Sequence, residues 1–95
     1  MDPPAFGRGP EGQLWQIEDD FVALVEDCKK ILSDKPLFFL INGYASGYSS
    51  LAYRYNIDNL MEKFGGEIES GEITIRESKS ERLLPCGIFA RWCSN

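Results

Sequence analysis

The sequence predicts an α/β domain, a three-stranded mixed sheet with two main helices, on three observations. Ile17, Phe21, Leu24, Val25, Cys28, Ile31 and Leu32 recur three and four residues apart, the stripe of one helix face. Residues 37–41 read Leu-Phe-Phe-Leu-Ile, a continuous apolar run between Pro36 and Asn42-Gly43. It is too short for a helix and lacks alternation, the pattern of a strand covered on both faces. Helical spacing then returns in Tyr53, Ile57, Leu60, Met61 and Phe64, and two strand-like segments follow at 67–77 and 87–93.

Each element has its own signals. The first sixteen residues carry Pro3, Pro4, Gly7, Gly9, Pro10 and Gly12 among Phe6, Leu14 and Trp15, which excludes a helix and predicts an ordered loop with aromatic anchors. Glu18, Asp19 and Asp20 open the first helix and Lys29 and Lys30 close it, so both ends complement the helix dipole. Ser49 or Ser50 is placed to cap the second helix, and Gly65-Gly66 to stop it. In 67–77, Ile68 stands on opposite parity to Ile73 and Ile75, with Gly71 between them, which predicts a strand with a bulge or break at Gly71. Residues 79–82 are a polar connection, short enough for the last two strands to pair antiparallel. Ile88, Ala90 and Trp92 alternate with Phe89, Arg91 and Cys93 in the last strand.

Composition bounds the function. Residues 1–95 form a single domain, and Leu, Ile, Val and Phe supply 25 of the 95 residues, enough for a folded core. The net charge of -5 argues against a free-standing nucleic-acid binder, which needs a concentrated basic surface. No run approaches the roughly 20 apolar residues of a membrane span, and Met-Asp-Pro-Pro is not a signal peptide, so no membrane is expected. Three cysteines without CxxC spacing and without any histidine disfavour a disulfide framework, a zinc site and a hydrolytic triad. Reduced thiols fit a cytoplasmic chain, and no metal is expected.

Asp2-Pro3-Pro4-Ala5-Phe6-Gly7-Arg8-Gly9 resembles the DPPxF signature of Rossmann-like S-adenosylmethionine-dependent methyltransferases, above all the bacterial group related to ribosomal RNA base methyltransferases. Gln13-Leu14-Trp15 before the acidic helix start, the strand 37–41 followed by Asn42-Gly43-Tyr44, Gly-Glu-Ile-Glu-Ser-Gly-Glu at 66–72, and Leu84 through Trp92 are similar to the C-terminal half of that group. The resemblance covers nearly the whole chain. It implies the C-terminal, substrate-side part of a methyltransferase, with the last strand lying antiparallel between the other two. It also implies that the cofactor half, with its Gly-rich loop for S-adenosylmethionine, would precede Met1, so that these residues alone would be inactive. Gly7-Arg8-Gly9 follows a Pro-Pro turn rather than a strand and opens no helix, so it is not that loop.

The resemblance assigns catalysis to Asp2, Pro3, Pro4 and Phe6. The Asp2 carboxylate and Pro3 carbonyl would accept hydrogen bonds from a target nitrogen, and Phe6 would stack on its ring, worth roughly 1–3 kcal/mol per base. Read without the family, the segment is a Pro-rich terminus with Phe6 as a core anchor. Arg8 is a candidate for binding a phosphate or carboxylate of the substrate, with Arg54, Arg82 and Arg91 as further candidates for a basic rim. Asn42 and Tyr44 follow the carboxyl end of the central strand, where open α/β sheets bind ligands; the plain alternative is a turn with Tyr44 and Tyr48 covering the sheet edge. A related branch carries a cysteine nucleophile in this loop. None stands in 42–47, which favours nitrogen or another acceptor over cytosine carbon. RNA is the expected partner of the full-length enzyme. The alternatives are a small-molecule methyltransferase half and a non-enzymatic interaction fragment, and the uncovered strand edge at 37–41 predicts a homo-oligomer.

Overall fold

The structure is a computed structural model that describes residues 1–44 and 47–95. Its first element is not the loop that the Pro and Gly residues predict. β1 (Phe6–Arg8) and β2 (Leu14–Gln16) pair antiparallel, Gly7 opposite Trp15. The prolines at 3, 4 and 10 fall outside both strands. Gly12, at φ +83°, lets the connection close, with the Gly9 amide donating to the Gln13 carbonyl at 2.7 Å. The composition therefore excludes a helix here without excluding a short hairpin.

α1 (Ile17–Ile31) starts where the periodicity begins, with its acidic first turn and basic last turn in place. Ile17, Phe21 and Val25 are buried, whereas Ile31 is 84% exposed because the last turn overhangs the core. β3 (Phe38–Gly43) follows, then α2 (Ser50–Met61), whose start is capped by the Ser49 hydroxyl accepting from the Leu51 and Ala52 amides. A 3-10 turn, Glu62–Phe64, ends at Gly65 and Gly66, both with positive φ, as the glycine pair predicts.

β4 (Glu67–Arg76) and β5 (Leu83–Cys93) complete a sheet of order β3-β5-β4. The last strand lies between the other two, and β3 does not touch β4. Both pairings are antiparallel, so the expected mixed sheet is corrected: β3 and β4 do run parallel, but β5 separates them. The bulge also moves. Gly71 pairs regularly with Phe89, and the extra residue is Cys86, since Ile73 faces Gly87 and Thr74 faces Pro85. Pro85 has no amide to give to the ladder and Gly87 sits at φ +154°, so the irregularity falls on β5.

Both helices cover one face of the sheet. Ile41, Ala90 and Trp92 meet Ile17, Phe21, Val25, Tyr53, Ile57, Leu60 and Met61 in a single core. On the opposite face the register aligns Phe38, Cys93 and Glu67, then Leu40, Arg91 and Glu69, with Arg91 paired to Glu69. Residues 37–41 are thus not covered on both faces: Leu37 and Phe38 are 75% and 64% exposed, while Ile41 is buried.

Trp92 is the largest fully buried side chain, and its indole donates to the Gly65 carbonyl at 2.5 Å. Trp92→Ala removes that bond and opens a cavity under α2, so urea denaturation should show a loss of about 3–5 kcal/mol. A loss below about 1 kcal/mol would contradict this placement of the core.

Candidate functional site at the end of strand β3

The N-terminal residues are held at three points. The Met1 ammonium donates to the Leu40 carbonyl at 2.5 Å and the Asn42 amide donates to the Met1 carbonyl at 3.1 Å, so Met1 lies against the outer edge of β3 as a parallel strand would. The Trp15 indole donates to the Pro4 carbonyl at 2.7 Å, and the Ile17 amide donates to the Ala5 carbonyl at 3.1 Å. Between these staples, Pro3 is buried and Asp2 is exposed. Among the described residues, neither the Asp2 carboxylate nor the Pro3 carbonyl is engaged in a hydrogen bond. Two unpaired acceptor groups therefore belong to the segment at the carboxyl end of β3, with the Pro3 carbonyl near Gly43, where α/β sheets place ligands.

Phe6 is 55% exposed and outside the core, so it is not the apolar anchor of the plain reading. The Arg8 guanidinium lies 6.0 Å from its ring centroid, at the outer limit of a cation–π contact. Asn42 is half-buried at the edge of β3 and holds Met1 through its backbone. Tyr44 is 75% exposed and lines a cleft of about 250 Å³ with Glu72, Cys86 and Gly87. Asp2, Pro3, Asn42 and Tyr44 thus gather at one end of β3. Phe6 and Arg8 sit together on the hairpin, and no hydrogen bond or ring contact among the described residues joins them to Asn42 or Tyr44.

The wider basic rim does not form. Arg54 donates to the Ile68 carbonyl at 2.9 Å, Arg91 pairs with Glu69 on the open sheet face, and Arg82 lies at the far end of the β4–β5 hairpin. The three cysteines are free and half-buried. In the segment 42–47, which lacks a cysteine, Ala45 and Ser46 lie outside the described residues. Among the described residues, no three of His, Cys, Asp and Glu cluster as a metal site would require, and no helix is long and apolar enough to cross a membrane.

No family model and no curated protein matches the chain. Among solved structures, the chain is similar to the SAM-dependent methyltransferase from Agrobacterium tumefaciens, with 35% identity and a TM-score of 0.88 over 97% of these residues. The chain is built like one part of that methyltransferase. It spans 31% of the methyltransferase's length. Gly7-Arg8-Gly9 lies in the hairpin, where a side chain at Gly9 would meet the end of the Gln13 side chain, and no helix opens after it.

The residues around the turn add what the sequence did not single out. The Trp15 indole is one of its staples. Tyr53, noted only as an apolar helix position, is fully buried and brings its hydroxyl beneath Gly43, so close that a Cβ there would lie 2.6 Å from Oη. Phe21, Tyr48 and Tyr53 form an aromatic trio with centroids 5.2–5.6 Å apart, so Tyr48 belongs to the rim of the core rather than to the sheet edge.

Burial, reinforced by Tyr48 and Asp2, raises the Tyr53 phenol above its ordinary 10.0, and burial with Glu18 raises Tyr48. The unfolded chain therefore loses these protons first. Stability is fully present below about pH 10 and falls as pH climbs through the folded-state values. Urea midpoints followed upward from about pH 9 should decline, and Tyr53→Phe should flatten that decline. An identical slope in the variant would contradict the environment assigned to Tyr53.

Proposed function

We propose that this chain supplies the acceptor side of an S-adenosylmethionine-dependent methyltransferase that modifies a nitrogen on an RNA base. The observation that carries the reading is the pair of free oxygens on Asp2 and Pro3, held between staples at Met1 and Pro4. An amino nitrogen whose lone pair is conjugated with the ring becomes nucleophilic when its N–H bonds are drawn toward acceptors, and the turn offers two. Phe6 offers an exposed ring on which a base stacks, and Arg8 beside it meets a phosphate. Asn42 and Tyr44 border the same end of β3. The net charge of -5 means that basic surface for a long RNA must come from outside these residues. The same balance supports a small-molecule acceptor as the second reading.

In this reading the methyl donor is held outside these 95 residues. Titration calorimetry of S-adenosylmethionine into the chain should give no binding, and micromolar affinity would overturn the division of labour. Where the chain is joined to a cofactor-binding part, Asp2→Ala and Phe6→Ala should each lower kcat by about 10²-fold or more, the usual scale of a lost catalytic group, and leave cofactor affinity within about twofold. A joined enzyme indifferent to both substitutions would remove the role of the turn.

Met1 already occupies the outer edge of β3 at Leu40 and Asn42, so a further part of the proposal, self-association, rests on the exposed Leu37 and Phe38 at the start of the strand. Light scattering at high micromolar concentration should show dimers or larger species. A monomer would exclude it.

A further inference from the structure

The Tyr53 hydroxyl is a buried polar group without a hydrogen-bond partner among the described residues. Such groups are costly and uncommon in folded proteins, and their position is informative. Oη and the Pro3 carbonyl oxygen converge on one point over the Gly43 Cα: a Cβ built there would lie 2.6 Å from the first and 3.5 Å from the second. Only a glycine leaves room for this approach. The phenol ring is fixed from the other side by Phe21 and Tyr48, at centroid distances of 5.2 and 5.3 Å, so the hydroxyl is aimed rather than free to wander.

We propose that Tyr53 is the positioning residue of the acceptor turn, its hydroxyl donating to the Pro3 carbonyl from beneath and fixing how Asp2 and Pro3 stand over the end of β3. A carbonyl oxygen has two lone pairs, so one faces Tyr53 while the other stays open to the acceptor's N–H. The bond is not made in this structure; settling of the turn onto α2 would complete it, and Gly43 is the residue that leaves room for the approach. The Coulombic effect of Asp2 on the Tyr53 phenol agrees with their closeness. Tyr53 touches no substrate in this scheme; it acts through Pro3. The inference rests on the reading of residues 2–4 as the acceptor turn.

The test is hydrogen exchange by NMR on the 95-residue chain. The Asn42 amide bonds to the Met1 carbonyl and so reports whether the turn is held against β3. In Tyr53→Phe that amide should exchange about tenfold faster, the effect of losing one hydrogen bond, while the amides of Ala90 and Trp92 keep their protection. Gly43→Ala, which drives a methyl group into the hydroxyl, should do the same with the tyrosine intact. A merely structural tyrosine would speed exchange throughout the core instead. Unchanged protection at Asn42, or acceleration spread evenly over β5, overturns the inference. Should neither variant fold, the wild-type chain decides: a slowly exchanging Tyr53 hydroxyl proton with a contact to Pro3 supports the anchor, and one with contacts only to Phe21 and Tyr48 overturns it. No methyl donor or acceptor enters this experiment. Its failure removes the anchor alone, whereas failure of the acceptor reading appears only in turnover.

Discussion

Everything in this chain hangs on β5 being paired along both edges. Its register with β3 and with β4 fixes the two outer strands relative to each other without any contact between them. Its inward residues, Ala90 and Trp92, form the floor on which α2 packs, and α1 reaches the same core through Ile17, Phe21 and Val25. A domain of this size exposes much of its surface, so a central strand that is buried on one face and bonded on both sides carries a large share of what holds it together. The end of β3, where the N-terminal segment docks, lies beside this strand.

The candidate site is assembled from segments that have little hold on one another by themselves. Residues 1–5 contain no regular element, yet they are tied to β3 through Met1, to β2 through the Trp15 indole and to the start of α1 through Ala5. The ties use backbone groups on either side of Asp2 and Pro3 and leave the oxygens between them open. Rigid support with unpaired acceptors in the middle suits hydrogen-bond recognition, because the recognising groups need little reordering when a ligand arrives. The aromatic trio below supplies an apolar bed, and Gly43 leaves the space into which the Tyr53 hydroxyl and the Pro3 carbonyl both point.

Much of this was legible in the residues, for reasons that differ by element. The stripe of α1 and the glycine stop after α2 are local signals, and they appear where the spacing puts them. Strand order was legible only through the family resemblance, since nothing in 67–77 or 87–93 says which edge of β5 meets which strand. Three features escaped because they depend on partners distant in sequence. The hairpin Phe6–Arg8 with Leu14–Gln16 needs pairing that a Pro-rich composition hides. The bulge at Cys86 follows from Pro85 and Gly87 in the partner strand rather than from Gly71. The exposure of Leu37 and Phe38 reflects both helices packing on one face, which an apolar run alone does not reveal. At the site, Asp2 and Phe6 were legible as a motif, whereas Tyr53 looks like any core position until the fold sets it under Gly43.

The site depends on the N-terminal turn being docked at the carboxyl end of β3, with Met1 continuing the ladder. The most direct measurement is the NMR scalar coupling across the hydrogen bond from the Asn42 nitrogen to the Met1 carbonyl carbon in isotope-labelled protein. A docked turn gives a resolved coupling of the size seen within the β3–β5 ladder. Its absence, under conditions where the ladder couplings are present, would mean that the turn is not held at β3 and that the site described here does not form.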